Sequence, residues 1–216
     1  MGGLGTKPGC VLKRLIDVTV AVILLLVFAP LLLVIAAAIR IRMGRPVLFR
    51  QVRPGFRGLP FELLKFRTMT NDTGPDGALL PDGARLTPLG TFLRATSLDE
   101  LPELWNVLCG DMSLVGPRPL LMEYLDRYTA QQARRHEVKP GITGWAQVNG
   151  RNAVTWEQRF LLDLWYVENR RVSLDVRILL MTIWRVLRGT GVAQRGHATM
   201  PRFTGTRPRT EDGDAR

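Results

Sequence analysis

The sequence predicts a mainly α-helical protein with a small β-hairpin, of the α+β class, joined to a membrane through its N-terminal helix. Three observations lead to this prediction. Residues 18–39 are almost entirely apolar, residues 44–69 are typical of short strands around turns, and four later segments are typical of helices. At 216 residues, the chain is long enough for one domain with a core and an added membrane element.

The first predicted element is an uncharged segment, residues 18–39, in which Thr19 is the one polar residue. As a helix its 22 residues would extend about 33 Å, enough for a hydrocarbon core of about 30 Å. A signal peptide is disfavoured because the segment is too long and Arg40 and Arg42 follow it directly. A buried core helix is also disfavoured, since the segment has no polar face to offer water.

Two topologies of this segment stay open on the residues alone. Basic residues flank both of its ends, with Lys13 and Arg14 before it and Arg40, Arg42 and Arg45 after it. Such residues favour the cytoplasmic side, and here both ends meet that preference. Pro30 lies near the middle, where it removes a helical hydrogen bond. A bent helix that enters and leaves on one face explains both features, and a proline-kinked single span is the equal alternative.

The rest of the chain divides into a hairpin, a loop, helices and a tail. Turns at Pro54-Gly55 and Gly58 separate the two predicted strands, and residues 71–85 are rich in Gly, Pro and Asp, which predicts a mobile surface loop. Residues 190–216 are polar and basic and predict a disordered tail. Helices are predicted over residues 98–109, 120–137, 155–169 and 173–188.

The last predicted helix is amphipathic. Leu174, Ile178, Met181 and Trp184 fall on one side, and arginines stand elsewhere on its surface. A helix of this kind packs into a core or lies in the interface of a membrane. Both interpretations are kept open.

The charge of the chain limits the classes of partner. The formal net charge is +11, from 30 Lys and Arg against 19 Asp and Glu, which favours nucleic acid, a membrane surface or phosphorylated substrates. The chain contains no recognised nucleic-acid-binding module, P-loop, HExxH motif or dinucleotide fingerprint. Cys10 and Cys109 lack the spacing of metal ligands, and a reducing compartment fits them.

The stretch TSLDELPELWN, residues 96–106, holds the first candidate site residues. Ser97 and Glu100 have the spacing of a capping box, and acidic residues suit the positive end of a helix dipole. These eleven residues alone favour capping. Asp99, however, also stands where a helix start favours phosphate, and a carboxylate can act as a nucleophile toward phosphorus.

Two further segments could bind phosphate. Lys65 and Arg67 in FELLKFRTM are two residues apart and would project from one face of a strand. In GPRP, Arg118 stands between Pro117 and Pro119, whose fixed φ angles limit the entropy that the arginine loses on binding. Taken singly, a solvated strand and a plain loop are the more common explanations.

Together these segments resemble a known family. KRLIDVTVAVILLL, LLKFRTM, TSLDELPELWNVLCGDMSLVGPRPLL and RRHEVKPGITGWAQVNGRN stand in this order between about Lys13 and Arg188. In these motifs the sequence resembles the bacterial sugar transferase family, the monotopic phosphoglycosyl transferases. The long third motif is highly specific, and within it Asp99-Glu100 matches the catalytic dyad of the family.

The resemblance implies a topology. Residues 13–42 would form a re-entrant helix bent near its middle, residues 43–189 a catalytic domain, and residues 1–12 and 190–216 terminal segments. The protein would then lie on the cytoplasmic face of the bacterial inner membrane, bound to an anionic leaflet, with amphipathic helices in the interface. The family often has Ser-Pro at the bend, whereas this chain has Ala29-Pro30, so a hydroxyl that could satisfy freed backbone groups is missing.

The resemblance also implies a reaction. Asp99 would attack the β-phosphate of a UDP-sugar, release UMP and form a covalent phosphosugar-aspartyl intermediate, which polyprenyl phosphate would resolve to a polyprenyl-diphosphate-sugar. Glu100 is the candidate Mg²⁺ ligand, since a metal ion would neutralise phosphate charge. The expected substrate-binding residues are Lys65, Arg67, Arg94, Pro117, Arg118, Pro119 and Arg151.

This reaction would be the first membrane step of bacterial glycan assembly, of an exopolysaccharide, an O-antigen or a glycoprotein. Two other classes of function remain: a non-catalytic membrane scaffold for glycan assembly, which the intact dyad disfavours, and a nucleic-acid-binding protein, which charge alone suggests. The expected partners are UDP-sugar, polyprenyl phosphate and membrane lipids, with no nucleic acid. A homo-oligomer is left open. His136 is interpreted as structural or exposed and not as a base. Asp163 and Asp175 could order the site, although Asp175 also suits the first turn of the last helix.

Overall fold

The computed structural model describes residues 8–150, 154–188 and 202–205, and most of the predicted tail lies outside these ranges. Within them the protein is mainly helical. The α-helices are α1 (Pro8–Met43), α2 (Asp82–Arg85), α3 (Pro88–Ala95), α4 (Glu103–Cys109), α5 (Ala130–Ala133), α6 (Trp145–Asn149), α7 (Trp156–Asn169) and α8 (Val172–Leu187). The strands are β1 (Leu48–Pro54), β2 (Pro60–Phe66), β3 (Ser113–Val115) and β4 (Gly141–Thr143).

The predicted hairpin is confirmed. Strands β1 and β2 pair antiparallel, with Leu48 opposite Phe66 and Pro54 opposite Pro60. The turn between them contains Gly58 at a φ of 75°, a left-handed conformation that glycine adopts without a steric penalty. The hairpin therefore forms where the Pro-Gly and Gly signals predict it.

A second pair of strands was not predicted. Strands β3 and β4 are parallel, with Ser113 opposite Gly141 and Val115 opposite Thr143. The backbones approach so closely that a Cβ atom on Gly141 would lie 2.0 Å from the Gly116 nitrogen. Each strand has only three residues, and 25 residues lie between them, so the local sequence does not predict this pairing.

Helix α1 is 36 residues long and begins at Pro8, before the predicted start at residue 13. It runs through Ala29 and Pro30, and the predicted bend at these residues stays a prediction. Its mean hydropathy reaches 3.2 over an 18-residue window of which 11% is buried. A core helix would be mostly buried, so α1 is long, apolar and exposed enough to associate with a membrane.

Both ends of α1 pack against the same domain. Near the N-terminal end, Arg14 donates to the Leu108 carbonyl at 2.9 Å and Asp17 accepts from the Leu114 amide at 3.2 Å. Near the C-terminal end, Ile39 is fully buried in a cluster with Phe66 and Leu93. The helix therefore lies along the domain, and its exposed apolar side chains include Val22, Leu26, Val27, Leu33 and Val34.

The main core lies between α4, β3, α7 and α8. Its buried residues include Leu104, Val107, Met112, Val115, Tyr166 and Ile178. Core packing is confirmed for the first part of α8, whereas a place of this helix in the membrane interface stays a prediction. Leu174 and Ile178 are buried, whereas Trp184, near the other end, is 51% exposed.

Several predicted elements differ from the structure. Residues 98–109 form a short 3₁₀ turn, Leu98–Glu100, before α4, and residues 120–137 form two 3₁₀ segments around α5 (Met122–Arg127 and Arg134–Glu137). The segment predicted as a loop, residues 71–85, ends in helix α2. The Arg85 side chain in this helix donates a hydrogen bond to the Leu80 carbonyl at 2.8 Å. Of the predicted disordered tail, residues 202–205 are described, and Phe203 is only 1% exposed.

Candidate active site

The acidic pair lies in a tight turn between α3 and α4. Ser97 has a φ of 57° and its side chain makes no capping hydrogen bond, so the capping-box interpretation of Ser97 and Glu100 is wrong. The left-handed residue instead redirects the chain after α3. Asp99 is thereby folded inward, with 8% of its surface exposed.

A compact ion network surrounds Glu100. The Lys65 ammonium lies 2.7 Å from Glu100 and 3.0 Å from Glu103, and Arg118 forms an ion pair with Glu100. The structure thus brings together four of the predicted site residues, Lys65, Asp99, Glu100 and Arg118, although 52 residues lie between the first and the last. Strand β2, the turn and the Pro-framed loop each supply part of the network.

The two neighbouring carboxyl groups differ in acidity. Burial raises the pKa of Asp99 to about 6, the charge of Glu100 adds to that shift, and Lys65, Arg118 and Arg94 oppose it. Burial would also raise the pKa of Glu100, but the charges and hydrogen bonds of Arg118 and Lys65 outweigh it and hold that pKa well below its ordinary value. Glu100 is therefore a fixed anion, and Asp99 is the more basic carboxylate.

Glu103 is a site residue that the sequence reasoning missed. It is 2% exposed, and burial raises its pKa to about 7 despite the ion pair with Lys65. Its position three residues after Glu100 places it near the same side of a helical turn, which was the one available signal. Lys65 therefore contacts one carboxyl group whose pKa is lowered, that of Glu100, and one whose pKa is raised, that of Glu103.

Arg67 and Arg94 have other contacts. Arg67 follows β2, and its guanidinium donates to the carbonyls of Met69, Met43 and Arg45 at 2.9, 3.1 and 3.0 Å. These bonds hold the chain after α1, and Arg67 also lines the cleft, so its expected contact with phosphate stays a prediction. Arg94 donates from Nε to the Thr68 hydroxyl at 3.0 Å and faces the site.

Buried residues hold the loop that contains Arg118 in position. Pro117 and Pro119 are both buried, and the Arg135 guanidinium donates to the Arg118 carbonyl at 2.8 Å. Arg135 in turn forms an ion pair with Asp163 at 2.7 Å, and both side chains are 2% exposed. The position of Arg118 therefore depends on a buried ion pair as well as on its two prolines.

One cleft of about 990 Å³ is lined by the residues of the ion network and by Arg94 and Asp99, whereas Pro117, Arg135 and Asp163 lie outside its lining. Among the described residues, its lining has nine Lys and Arg side chains against four Asp and Glu side chains. The cations are Arg50, Arg53, Lys65, Arg67, Arg85, Arg94, Arg118, Arg159 and Arg202. A cleft with this excess of positive charge attracts polyanionic ligands. The predicted residue Arg151 lies outside the described residues.

The same region matches known proteins. A family model described as bacterial sugar transferase matches residues 9–189. The chain is 57% identical over 196 residues to an uncharacterized sugar transferase, EpsL, of Bacillus subtilis (strain 168), a match that covers 91% of this chain and 97% of the relative.

Two further relatives are named as UDP-glucose:undecaprenyl-phosphate glucose-1-phosphate transferases. The protein of Caulobacter vibrioides is 45% identical over 181 residues, which cover 79% of this chain and 68% of the relative. The protein of Klebsiella pneumoniae is 42% identical over 185 residues, which cover 81% of this chain but only 40% of the relative. The matched family region contains the cleft residues from Arg50 to Arg159.

Proposed function

Because the chain belongs to the bacterial sugar transferase family, as a phosphoglycosyl transferase, we propose that it moves a sugar 1-phosphate from a UDP-sugar to a polyprenyl phosphate. The observation that supports this most directly is the buried, basic carboxylate of Asp99 in a cleft of excess positive charge. We propose that the products are UMP and a polyprenyl-diphosphate-sugar, in the first membrane step of glycan assembly.

The proposed reaction has two displacements at phosphorus. The Asp99 carboxylate attacks the β-phosphorus of the donor, the bond to UMP breaks, and a phosphosugar-aspartyl ester forms. The lipid phosphate then attacks the same phosphorus and releases the aspartate. Lys65 and Arg118 can stabilise the phosphate charge during both steps, since they already hold the anion of Glu100 beside the nucleophile.

Mg²⁺ is the proposed cofactor. Among the described residues, no group of three His, Cys, Asp or Glu side chains could hold a metal ion. Mg²⁺ usually binds through one or two carboxylates plus substrate phosphates, and the Glu100 carboxylate in the cleft could supply such a ligand while Asp99 serves as the nucleophile. Glu100 would hold the ion, which neutralises phosphate charge when bound.

We also propose that α1 enters and leaves the cytoplasmic leaflet of the inner membrane on one face. The packing of Asp17 and Ile39 against one domain supports this, because a single span would put its two ends on opposite faces about 30 Å apart. Cys10 precedes the apolar segment and Cys109, which is exposed, follows it, so the single-cysteine variants Cys109→Ser and Cys10→Ser probe the two sides separately. An impermeant maleimide should label both variants in permeabilised but neither in intact spheroplasts, and labelling of either one from outside would refute the topology.

The first test of the proposed activity is intact-protein mass spectrometry of the detergent-purified chain with Mg²⁺ and a panel of UDP-sugars, without lipid acceptor. We expect a mass gain of one sugar phosphate and release of UMP, and the sugar that reacts identifies the donor. Polyprenyl phosphate should then discharge the adduct. Folded protein that releases no UMP from any donor, with or without the lipid, would instead favour a scaffold.

Adduct formation should depend on pH. Asp99 has a raised pKa of about 6, so the protonated, non-nucleophilic form predominates below that pH and the rate should fall as the pH decreases through about 6. The measurement is the single-turnover rate of UMP release without lipid, which removes titration of the acceptor phosphate from the profile. A rate that stayed constant down to about pH 4, the range of an ordinary aspartate, would contradict the assignment.

A further inference from the structure

Residues 202–205 dock against the catalytic domain beside the cleft. The side chain of Phe203 is 1% exposed and belongs to a buried cluster with Leu120, Tyr124 and Phe160. Its ring centroid lies 5.1 Å from that of Phe160 and 5.6 Å from that of Tyr124, both in edge-to-face geometry. Edge-to-face contacts stabilise aromatic side chains in addition to the burial of their apolar surface, so the segment has a specific position on the domain.

The backbone of this segment is also fixed. The Phe203 amide donates to the Tyr124 hydroxyl at 3.1 Å, and the Arg127 guanidinium donates to the Phe203 carbonyl. Both backbone groups of one residue are thereby paired with the Met122–Arg127 segment. Because Phe203 is held in the cluster, the preceding residue, Arg202, is held at the wall of the cleft.

Arg202 is available to bind a ligand there. Its side chain is 78% exposed, and its ion pair with Glu123 has a distance of 4.0 Å, the outer limit for such a contact. An exposed pair at that distance contributes little, so a phosphate group could replace Glu123 at small cost. Arginine can bind phosphate through two parallel hydrogen bonds. Glu123 at 4.0 Å is too far away to accept these bonds from Arg202.

The cleft that Arg202 lines also contains Arg53, Arg118 and Arg159. Burial lowers the pKa of Arg53 and of Arg159, and the charge of Arg118 lowers both further. The Nε atom of Arg53 is buried and has no hydrogen-bond partner among the described residues. These arginines lie close enough to repel one another, which an anionic ligand would relieve.

We propose that residues 202–205 complete the active-site cleft, with Phe203 as the anchor and Arg202 as a phosphate-binding residue. This inference rests on the proposed function and adds a residue outside the matched family region, residues 9–189. The ligand is a phosphate group, either of the nucleotide donor or of the lipid acceptor. Arg202 would act in binding, so its loss should weaken affinity more than it slows the chemical step.

The experiment measures equilibrium binding of UDP and, separately, of polyprenyl phosphate to the full chain in detergent. Arg202→Ala should raise one of the two Kd values about fivefold, as expected for one exposed charge-assisted contact, and Arg202→Lys should restore most of the affinity. A change for UDP assigns Arg202 to the donor, and a change for the lipid assigns it to the acceptor. Arg134→Ala, which removes an exposed arginine outside the cleft lining, is the matched control and should change neither value.

Two truncations test the anchor. A chain that ends at Gly205 keeps the docked segment and should bind like the full chain, whereas a chain that ends at Met200 should show the weakened binding. If both truncated chains bind alike, or if Arg202→Ala leaves both Kd values unchanged, the inference is overturned. Since these readouts need no turnover, they remain separate from the mass-spectrometric test of the activity.

Discussion

Asp99→Asn should abolish sugar-phosphate transfer, with a fall in turnover of roughly 10³-fold or more, as loss of a nucleophile gives in other covalent mechanisms. The amide has the shape of the carboxylate but lacks the charge needed to attack phosphorus. Asp99 is almost buried in a turn whose other contacts stay intact, so the variant should fold and remain bound to the membrane. The measurements are UMP release with lipid acceptor and adduct mass without it.

A matched control separates the nucleophile from a general loss of negative charge. Asp126→Asn makes the same chemical change at an exposed aspartate outside the cleft lining and should leave both readouts at the level of the unchanged protein. An Asp99→Asn protein that still gained the mass of a sugar phosphate would show that another residue is the nucleophile. Near-normal turnover without an adduct would indicate direct transfer between the substrates.

Those parts of the site that depend on short sequence motifs could be predicted. The Pro-Gly and Gly turns predicted the hairpin that positions Lys65, and the resemblance in the third motif singled out Asp99, Glu100 and Arg118, which the structure brings into one cleft. The capping-box prediction for Ser97 was wrong because it used only the local spacing of Ser97 and Glu100. The left-handed φ of Ser97 depends on the surrounding fold, which that spacing does not contain.

Other features depend on contacts between distant residues. The bonds of Arg67 to the carbonyls of Met43 and Arg45 require the return of β2 to the end of α1. The burial of Phe203 requires aromatic residues from two other segments, around Tyr124 and Phe160, and the polar, basic composition of the tail gives no indication of it. A pattern of local residues cannot report such packing, because the partners are fixed only when the whole domain has folded.

Asp163→Asn should lower the free energy of unfolding by about 3–5 kcal/mol, as expected when one partner of a buried ion pair is removed. The change leaves the Arg135 guanidinium, whose side chain is 2% exposed, without its carboxylate. The Arg135 guanidinium also lies 5.7 Å from the centre of the Phe160 ring, so little water can replace the lost partner. Denaturant unfolding in detergent measures the change.

The pair itself need not be stabilising for this prediction to hold. Burial raises the pKa of Asp163 even against the charge of Arg135, so desolvation of the carboxylate is not fully offset. Replacing both residues by apolar ones, as Arg135→Met with Asp163→Leu, should therefore recover much of the lost stability. The double variant would still lack the hydrogen bond from Arg135 to the Arg118 carbonyl. We expect it to fold but to bind UDP more weakly, whereas a double variant as unstable as Asp163→Asn would show that the ion pair is needed for folding.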